Sequence, residues 1–384
     1  MYSITSYGAM IADRARISAY AEALRRLVTH DSVVIDLGAG PGLFALLACR
    51  FGARRVYAIE PADAIQVARE IAAANGLSDR IEFVQAASTE VTLPERADVI
   101  VSDIGGVMPW FQTHLPSIAD ARRRLLAPAG TLIPSRDTVW AAVVDAPVLY
   151  ARHTAPWDEC GLEFNLEPAR RLAVNTFKKG EVNADQLLTE PRRWATVDYR
   201  LVDDWNIQAL VRWTVLRAGT GHGIAVGLNR TLAEGIRLSN APGESEAIGR
   251  NSIYATVFFP WTSPVLLAAG DVVETELRAT LIGGDYIWCW NTSIADGRRP
   301  SALKARFAQS TMLEAPLSPV TLRKSSASYR PMLTENGRMA RFVLDAMHQG
   351  LALGEIAARL SREFPTTGAS DPLSYVAALA RQYT

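Results

Sequence analysis

The stretch Val33-Val34-Ile35-Asp36-Leu37-Gly38-Ala39-Gly40-Pro41-Gly42 decides the fold: an apolar run, an acid, then three glycines at alternate positions. A short buried strand that empties into a glycine turn is the usual entry to a βαβ unit. Upstream, residues 15–29 carry apolar side chains at helical spacing. Downstream, 43–51 reads as a helix closed by Gly52, 56–59 as a strand, and 62–75 as a helix ending at Asn75-Gly76. Strands at 81–84 and 99–101, a helix at 115–127 and a strand at 131–133 follow. Strands alternating with helices of this length predict a doubly wound, Rossmann-like parallel sheet over residues 1–135.

The pattern changes after Pro134. Strand-like runs at 136–144, 196–203, 209–217, 223–229, 253–259, 271–282 and 286–292, separated by Gly and Pro, predict a β-barrel or sandwich over 136–330. A less regular stretch, 146–195, interrupts it. Tyr286, Trp288 and Trp290 alternate along one run as barrel-lining core residues do. From 331 to 384 the pattern is helical, with apolar positions at Phe342, Val343, Ala346 and Met347, then Ile356, Leu360 and Phe364.

The chain has 384 residues, 40 Lys+Arg against 40 Asp+Glu, 49% apolar and 21% charged residues. That composition excludes a disordered or fibrous protein, and zero net charge argues against a nucleic-acid coat. Only four basic residues are lysine (Lys178, Lys179, Lys304, Lys324), which fits codon bias in a GC-rich genome. Cys49, Cys160 and Cys289 are far apart and lack metal-ligand spacing, so no disulfide framework or metal site is expected. No secretory h-region and no run approaching the ~18 apolar residues of a membrane span occurs, which predicts a soluble, cytoplasmic protein.

Glycine has no Cβ, so the turn lets a ligand approach the backbone. A dinucleotide fingerprint wants a third glycine three residues after the second; Leu43 stands there, and the loop is Gly38-x-Gly40-x-Gly42. Glu60 ends the next strand, where a carboxylate can accept both ribose hydroxyls of an adenosine. Nothing supplies a P-loop lysine, so S-adenosylmethionine fits better than NAD or ATP.

With Val56-Tyr57-Ala58-Ile59-Glu60, this loop resembles the cofactor site of class I methyltransferases, and specifically of the protein arginine methyltransferases. Tyr7-Gly8 with Met10-Ile11, Asp13 and Arg16 is similar to that family's N-terminal helix, whose arginine binds the cofactor carboxylate. Asn75-Gly76-Leu77, Leu93-Pro94-Glu95, Ala121-Arg122 through Ile133-Pro134-Ser135, Leu238-Ser239-Asn240-Ala241-Pro242 and Gly270-Asp271-Val272-Val273 extend the likeness over roughly 2–325. The resemblance implies S-adenosylmethionine as cofactor, with S-adenosylhomocysteine as product, held by Tyr7, Met10, Arg16, Asp36, Gly38, Gly40, Gly42, Leu43, Glu60, Pro61, Ser88, Thr89 and Asp103. Thr89 stands near the family's adenine-binding glutamate, a departure. By the same resemblance, 146–195 is a dimerisation arm and the protein a homodimer.

Residues 102–112 occupy the place of the family's double-glutamate hairpin. Guanidinium, with a pKa of about 13.8, is a poor nucleophile, and two acids grip it in a fork and aim it at the methyl. Here the first acid is Asp103 and the second is replaced by the uncharged Gln112. The family's threonine-histidine-tryptophan lid is matched to Phe259-Pro260-Trp261, which keeps only the tryptophan. Asp103, Gln112 and Trp261 are therefore the candidate catalytic residues of an enzyme whose acceptor departs from arginine: an imidazole, indole, amide or carboxylate oxygen of a peptide or protein. His114 and His222 are candidate bases. True arginine N-methylation and a non-catalytic peptide-binding scaffold are the alternatives.

The tail, 335–384, is similar to small winged-helix elements that recognise the leader segments of precursor peptides. Its charges balance, with Arg338, Arg341, Arg359, Arg362 and Arg381 against Glu335, Asp345, Glu355, Glu363 and Asp371, which favours a peptide partner over nucleic acid.

Overall fold

Val33–Leu37 forms strand β1 because it has no polar face to give to water: all five residues are buried. The computed structural model describes residues 3–159, 161, 163–244, 254–365 and 371–383 of the chain. Cys160, Ile253 and part of the expected C-terminal helical run lie outside them. β1, β2 (Arg55–Ile59), β3 (Ile81–Val84), β4 (Ala97–Ser102) and β5 (Leu126–Ile133) make a parallel sheet in the order β3-β2-β1-β4-β5. Helices α1 (Ile4–Ala12), α2 (Arg14–Leu27), α3 (Leu43–Arg50), α4 (Ala64–Ala74) and α5 (His114–Arg124) accompany it. Asp13 starts α2 by accepting the Arg16 backbone N–H at 3.1 Å, and Gly76 at φ +66° follows the end of α4.

The barrel begins at β6 (Arg136–Val144). The irregular stretch then resolves into α6 (Pro147–Asp158), α7 (Glu167–Ala173) and the short β7 (Lys178–Lys179). β8 (Arg192–Asp198), β9 (Ile207–Thr214), β10 (Gly219–Ala233), β11 (Ile236–Ser239), β12 (Val257–Leu267), β13 (Val272–Ile282), β14 (Asp285–Asp296) and β15 (Arg299–Phe307) complete it. One sheet runs β7-β12-β10-β6-β8 with β11 on β10, the other β15-β14-β13-β9, and each pairing is antiparallel. The strand expected at 253–259 is shifted to Val257–Leu267, where it pairs with β10. β15 was not foreseen: it is a largely exposed edge strand on β14, so its apolar alternation is weak.

No break in packing marks the expected boundary at 135. One core runs from Val33, Ile35 and Leu37 of β1 through Met108 and Trp110 to Trp194, Phe259, Trp288 and Trp290 of the barrel. Tyr286, Trp288 and Trp290 are buried in it, as their alternation predicts. The chain divides instead into Met1–Pro316 and Leu317–Thr384. The second unit starts before 331 because the short helix α8 (Pro319–Lys324) belongs to it. Its three longer helices are α9 (Glu335–His348), α10 (Leu353–Glu363) and α11 (Pro372–Tyr383). They close over Met339, Val343, Ala346, Ile356, Leu360 and Val376. Among the described residues this unit contains no strand, so no β-wing accompanies the helices there.

Candidate functional site

The glycine turn leaves β1 with Gly38 at φ +73°, Gly40 at +51° and Gly42 at +80°, a backbone that side chains rarely adopt. The space above it is closely used. A Cβ on Gly40 would lie 2.7 Å from the Tyr7 ring, and one on Gly38 would lie 2.2 Å from Ile104. Leu43 opens α3 just beyond. Asp36, buried in β1, accepts the Ala45 backbone N–H at 2.8 Å and so ties the strand to that helix. Burial lifts its carboxyl to about 7, and the nearby Glu60 carboxylate adds to the rise against the Ala45 bond.

Glu60 follows β2. One carboxylate oxygen accepts the Gly40 N–H at 2.9 Å and the other the Ala62 N–H at 2.9 Å. Each oxygen has two acceptor sites, so capacity remains on both for a pair of neighbouring hydroxyls. A left-handed glycine cradle that a Cβ would fill, with an anchored carboxylate beside it, fits the ribose end of an adenosine cofactor. Pro61 is exposed beside Glu60, and Ser88 and Thr89 sit in the short 3-10 turn after β3. The Ser88 carbonyl is held by Arg124 at 2.7 Å.

Asp103 sits at the C-terminal end of β4, where ligands of open parallel sheets bind. Its carboxylate is crowded. One oxygen takes Nε and Nη2 of Arg16, both at 2.5 Å. The other takes Nη1 of Arg230 at 3.0 Å, the Tyr20 hydroxyl at 3.0 Å and the Tyr254 hydroxyl. Arg230, buried on β10, also grips Asp137 through Nε at 3.0 Å and Nη2 at 2.9 Å. Tyr199 donates to Asp137 at 2.7 Å. Two guanidiniums thus face two carboxylates, and the phenols stay neutral: burial, with Asp103 next, pushes Tyr20 and Tyr254 well above ordinary tyrosine. Burial works against the charge of Arg16, but Asp103 and the phenols around it hold its proton more firmly than usual.

Arg16 was expected at a cofactor carboxylate; the structure places it on Asp103, with Nη1 also donating to the Met10 carbonyl at 3.0 Å. The other two candidate catalytic residues are not brought to Asp103. Gln112 is exposed, in a left-handed turn at φ +44° before α5. Trp261 is fully buried inside the barrel, against Gly221 with the Phe307 ring 5.9 Å away, because its position on β12 points inward. Its match to a substrate lid is corrected: the barrel aromatic at the site is Tyr254. Arg230, Asp137, Tyr20 and Tyr254 were missed, since they lie on β10, on β6, on α2 and in the segment before β12, and no local motif joins them.

Nor do the two histidines stand ready as bases. His114 is buried, with Nδ1 2.9 Å from the Pro109 carbonyl, and burial drops it to about 4. His222 accepts the Ala146 N–H at 3.2 Å and lies 3.3 Å from Asp145, with burial again lowering it. No group of three or more His, Cys, Asp or Glu among the described residues is placed to hold a metal.

The family described as "Ribosomal protein L11 methyltransferase (PrmA)" matches residues 19–135. A probable protein arginine N-methyltransferase 6 from Arabidopsis thaliana is 30% identical over 198 residues, which is 50% of this chain and 46% of that one. The chain resembles the protein arginine methyltransferases. It spans less than half the length of that relative. The crystal structure of Arabidopsis thaliana protein arginine methyltransferase 10 superposes with a TM-score of 0.71 at 21% identity, over 80% of this chain and 98% of that one. The Trypanosoma brucei PRMT1 enzyme-prozyme heterotetrameric complex with AdoHcy gives 0.68 at 19%, over 79% and 96%. The arginine methyltransferase fold, a Rossmann-like sheet followed by a barrel, accounts for the first unit. No described helix is long and apolar enough to cross a membrane.

Proposed function

We propose that this chain is an S-adenosylmethionine-dependent methyltransferase that modifies a side chain of a peptide or protein. The observation that carries the reading is the glycine cradle with Glu60 anchored across it by the Gly40 and Ala62 N–H groups. The cofactor, when bound, supplies an electrophilic methyl on a sulfonium and leaves as S-adenosylhomocysteine. Gly38, Gly40 and Gly42 bring backbone close to it, Glu60 accepts its ribose hydroxyls, and Ser88 and Thr89 lie near its base. Tyr7 and Met10 cover it and exclude water. Arg16 faces its carboxylate while staying on Asp103.

The acceptor we propose is not the arginine guanidinium. A guanidinium needs acids to hold it, and the two positions expected to supply them are a crowded Asp103 and an exposed, uncharged Gln112. A neutral nitrogen or a carboxylate oxygen is consistent with that. Arginine N-methylation, named in the relatives, is the second reading, favoured by their sequence likeness. The insert α6–α7–β7 would serve a homodimer, the C-terminal helices would hold a leader-bearing precursor peptide, and the setting would be cytoplasmic.

Calorimetric titration with S-adenosylmethionine tests the reading. Wild type is expected to bind, and Gly40→Val to lose more than about tenfold in affinity, or about 1.4 kcal/mol, because its side chain fills the cradle against Tyr7. No heat with wild type, or unchanged affinity in the variant, removes the reading.

A further inference from the structure

A carboxylate offers about four acceptor sites, and five donors converge on Asp103. Arg16 supplies two of them, Arg230 one, and Tyr20 and Tyr254 one each. Arg230 differs from the others in being clamped from behind. Asp137 takes two of its nitrogens, Tyr254 accepts Nη1 at 3.1 Å, and the Tyr254 ring lies 5.2 Å from the guanidinium carbon. The side chain is 1% exposed. The loop after Asp103 is shaped to admit it: a Cβ on Gly105 would come within 2.7 Å of His114 and 3.1 Å of the Arg230 Nη2.

From this geometry we infer that Arg230 is a specificity-determining residue: it is a resident guanidinium that occupies the acceptor-side carboxylate, so the site refuses a cationic acceptor. A peptide guanidinium that entered would have to displace a buried cation held by two carboxylates, and would leave that cation unpaired. A neutral acceptor needs no such exchange. The charges also explain why Asp103 can share Arg16. Two carboxylates and two guanidiniums sum to zero, so when Arg16 turns part of its donor set to a cofactor carboxylate, Arg230 keeps Asp103 compensated. Arg230 acts through Asp103, which it holds at 3.0 Å.

The inference rests on the methyltransferase reading for the identity of the acceptor side, and its test is read separately. In Arg230→Ala, Asp103 and Asp137 face a vacated guanidinium-shaped space. The variant is expected to melt more than about 5 °C below wild type. About 20 mM methylguanidinium should restore at least half of that loss, and equal tetramethylammonium should restore none. Wild type at the same concentrations should not shift with either cation. In wild type loaded with S-adenosylhomocysteine, N-acetyl-arginine amide should give no binding heat. Rescue by both cations alike, or by neither, overturns the inference. So does arginine-amide binding to loaded wild type, an arm that stands even where Arg230→Ala does not fold. Failure of wild type to bind S-adenosylhomocysteine would overturn the methyltransferase reading instead, while the methylguanidinium arm would still report on Arg230.

Discussion

Asp36 and His114 are both buried and both displaced from their ordinary titration, in opposite senses. Asp36 is lifted to about 7, above the ~3.9 of an unfolded aspartate, so its contribution to stability is full below about pH 4 and is lost as pH rises to 7. His114 is lowered to about 4 from ~6.5, so its contribution is full above pH 6.5 and is lost as pH falls to 4. The two slopes oppose each other across the acid range. Asp36→Asn should therefore gain stability relative to wild type as pH rises, and His114→Gln should gain as pH falls, each by on the order of 3 kcal/mol. Urea unfolding at about pH 4.5 and 7 reads both, and offsets that do not tilt with pH would contradict the assignment. At this scale the sequence showed what lies close along the chain. Glu60, the three glycines and Asp103 are legible because each lies at the end of an apolar strand run or in the turn just after it. Arg230 and Tyr254 are not, because only the closing of the barrel brings them to Asp103.

Strand β10 is the element that carries Arg230 to the site, and its register depends on close backbone approach. A Cβ on Gly227 would sit 2.0 Å from the Asn240 carbonyl oxygen, a backbone atom that cannot swing aside. Asn240 in turn accepts the Leu228 N–H and donates to the Ala255 carbonyl at 3.1 Å, beside Tyr254. Gly227→Ala should cost about 1–3 kcal/mol by denaturant unfolding. It should also weaken S-adenosylhomocysteine binding, because β10 shifts with respect to Asp103; a variant of wild-type stability would contradict the tight register. Strand existence was legible through the barrel where apolar alternation is strong, as in β13 and β14. β15 escaped because an exposed edge strand has little apolar pattern to show.

Across the whole molecule, every residue of the proposed cofactor and acceptor cluster lies in Met1–Pro316, and the C-terminal unit has a core of its own. A chain ending at Pro316 should therefore bind S-adenosylmethionine within about threefold of the full chain. Modification of a leader-bearing peptide should be reduced far more; equal loss of both would contradict separate roles. The change of pattern after Pro134 was legible as a change of architecture, though not as a packing boundary, since Trp110 and the barrel aromatics share one core. The central claim is methyl transfer to an acceptor other than guanidinium. It is tested most directly by tandem mass spectrometry of a peptide modified with isotope-labelled S-adenosylmethionine. The label is expected on a neutral nitrogen or a carboxylate oxygen; label on an arginine side chain would contradict the account.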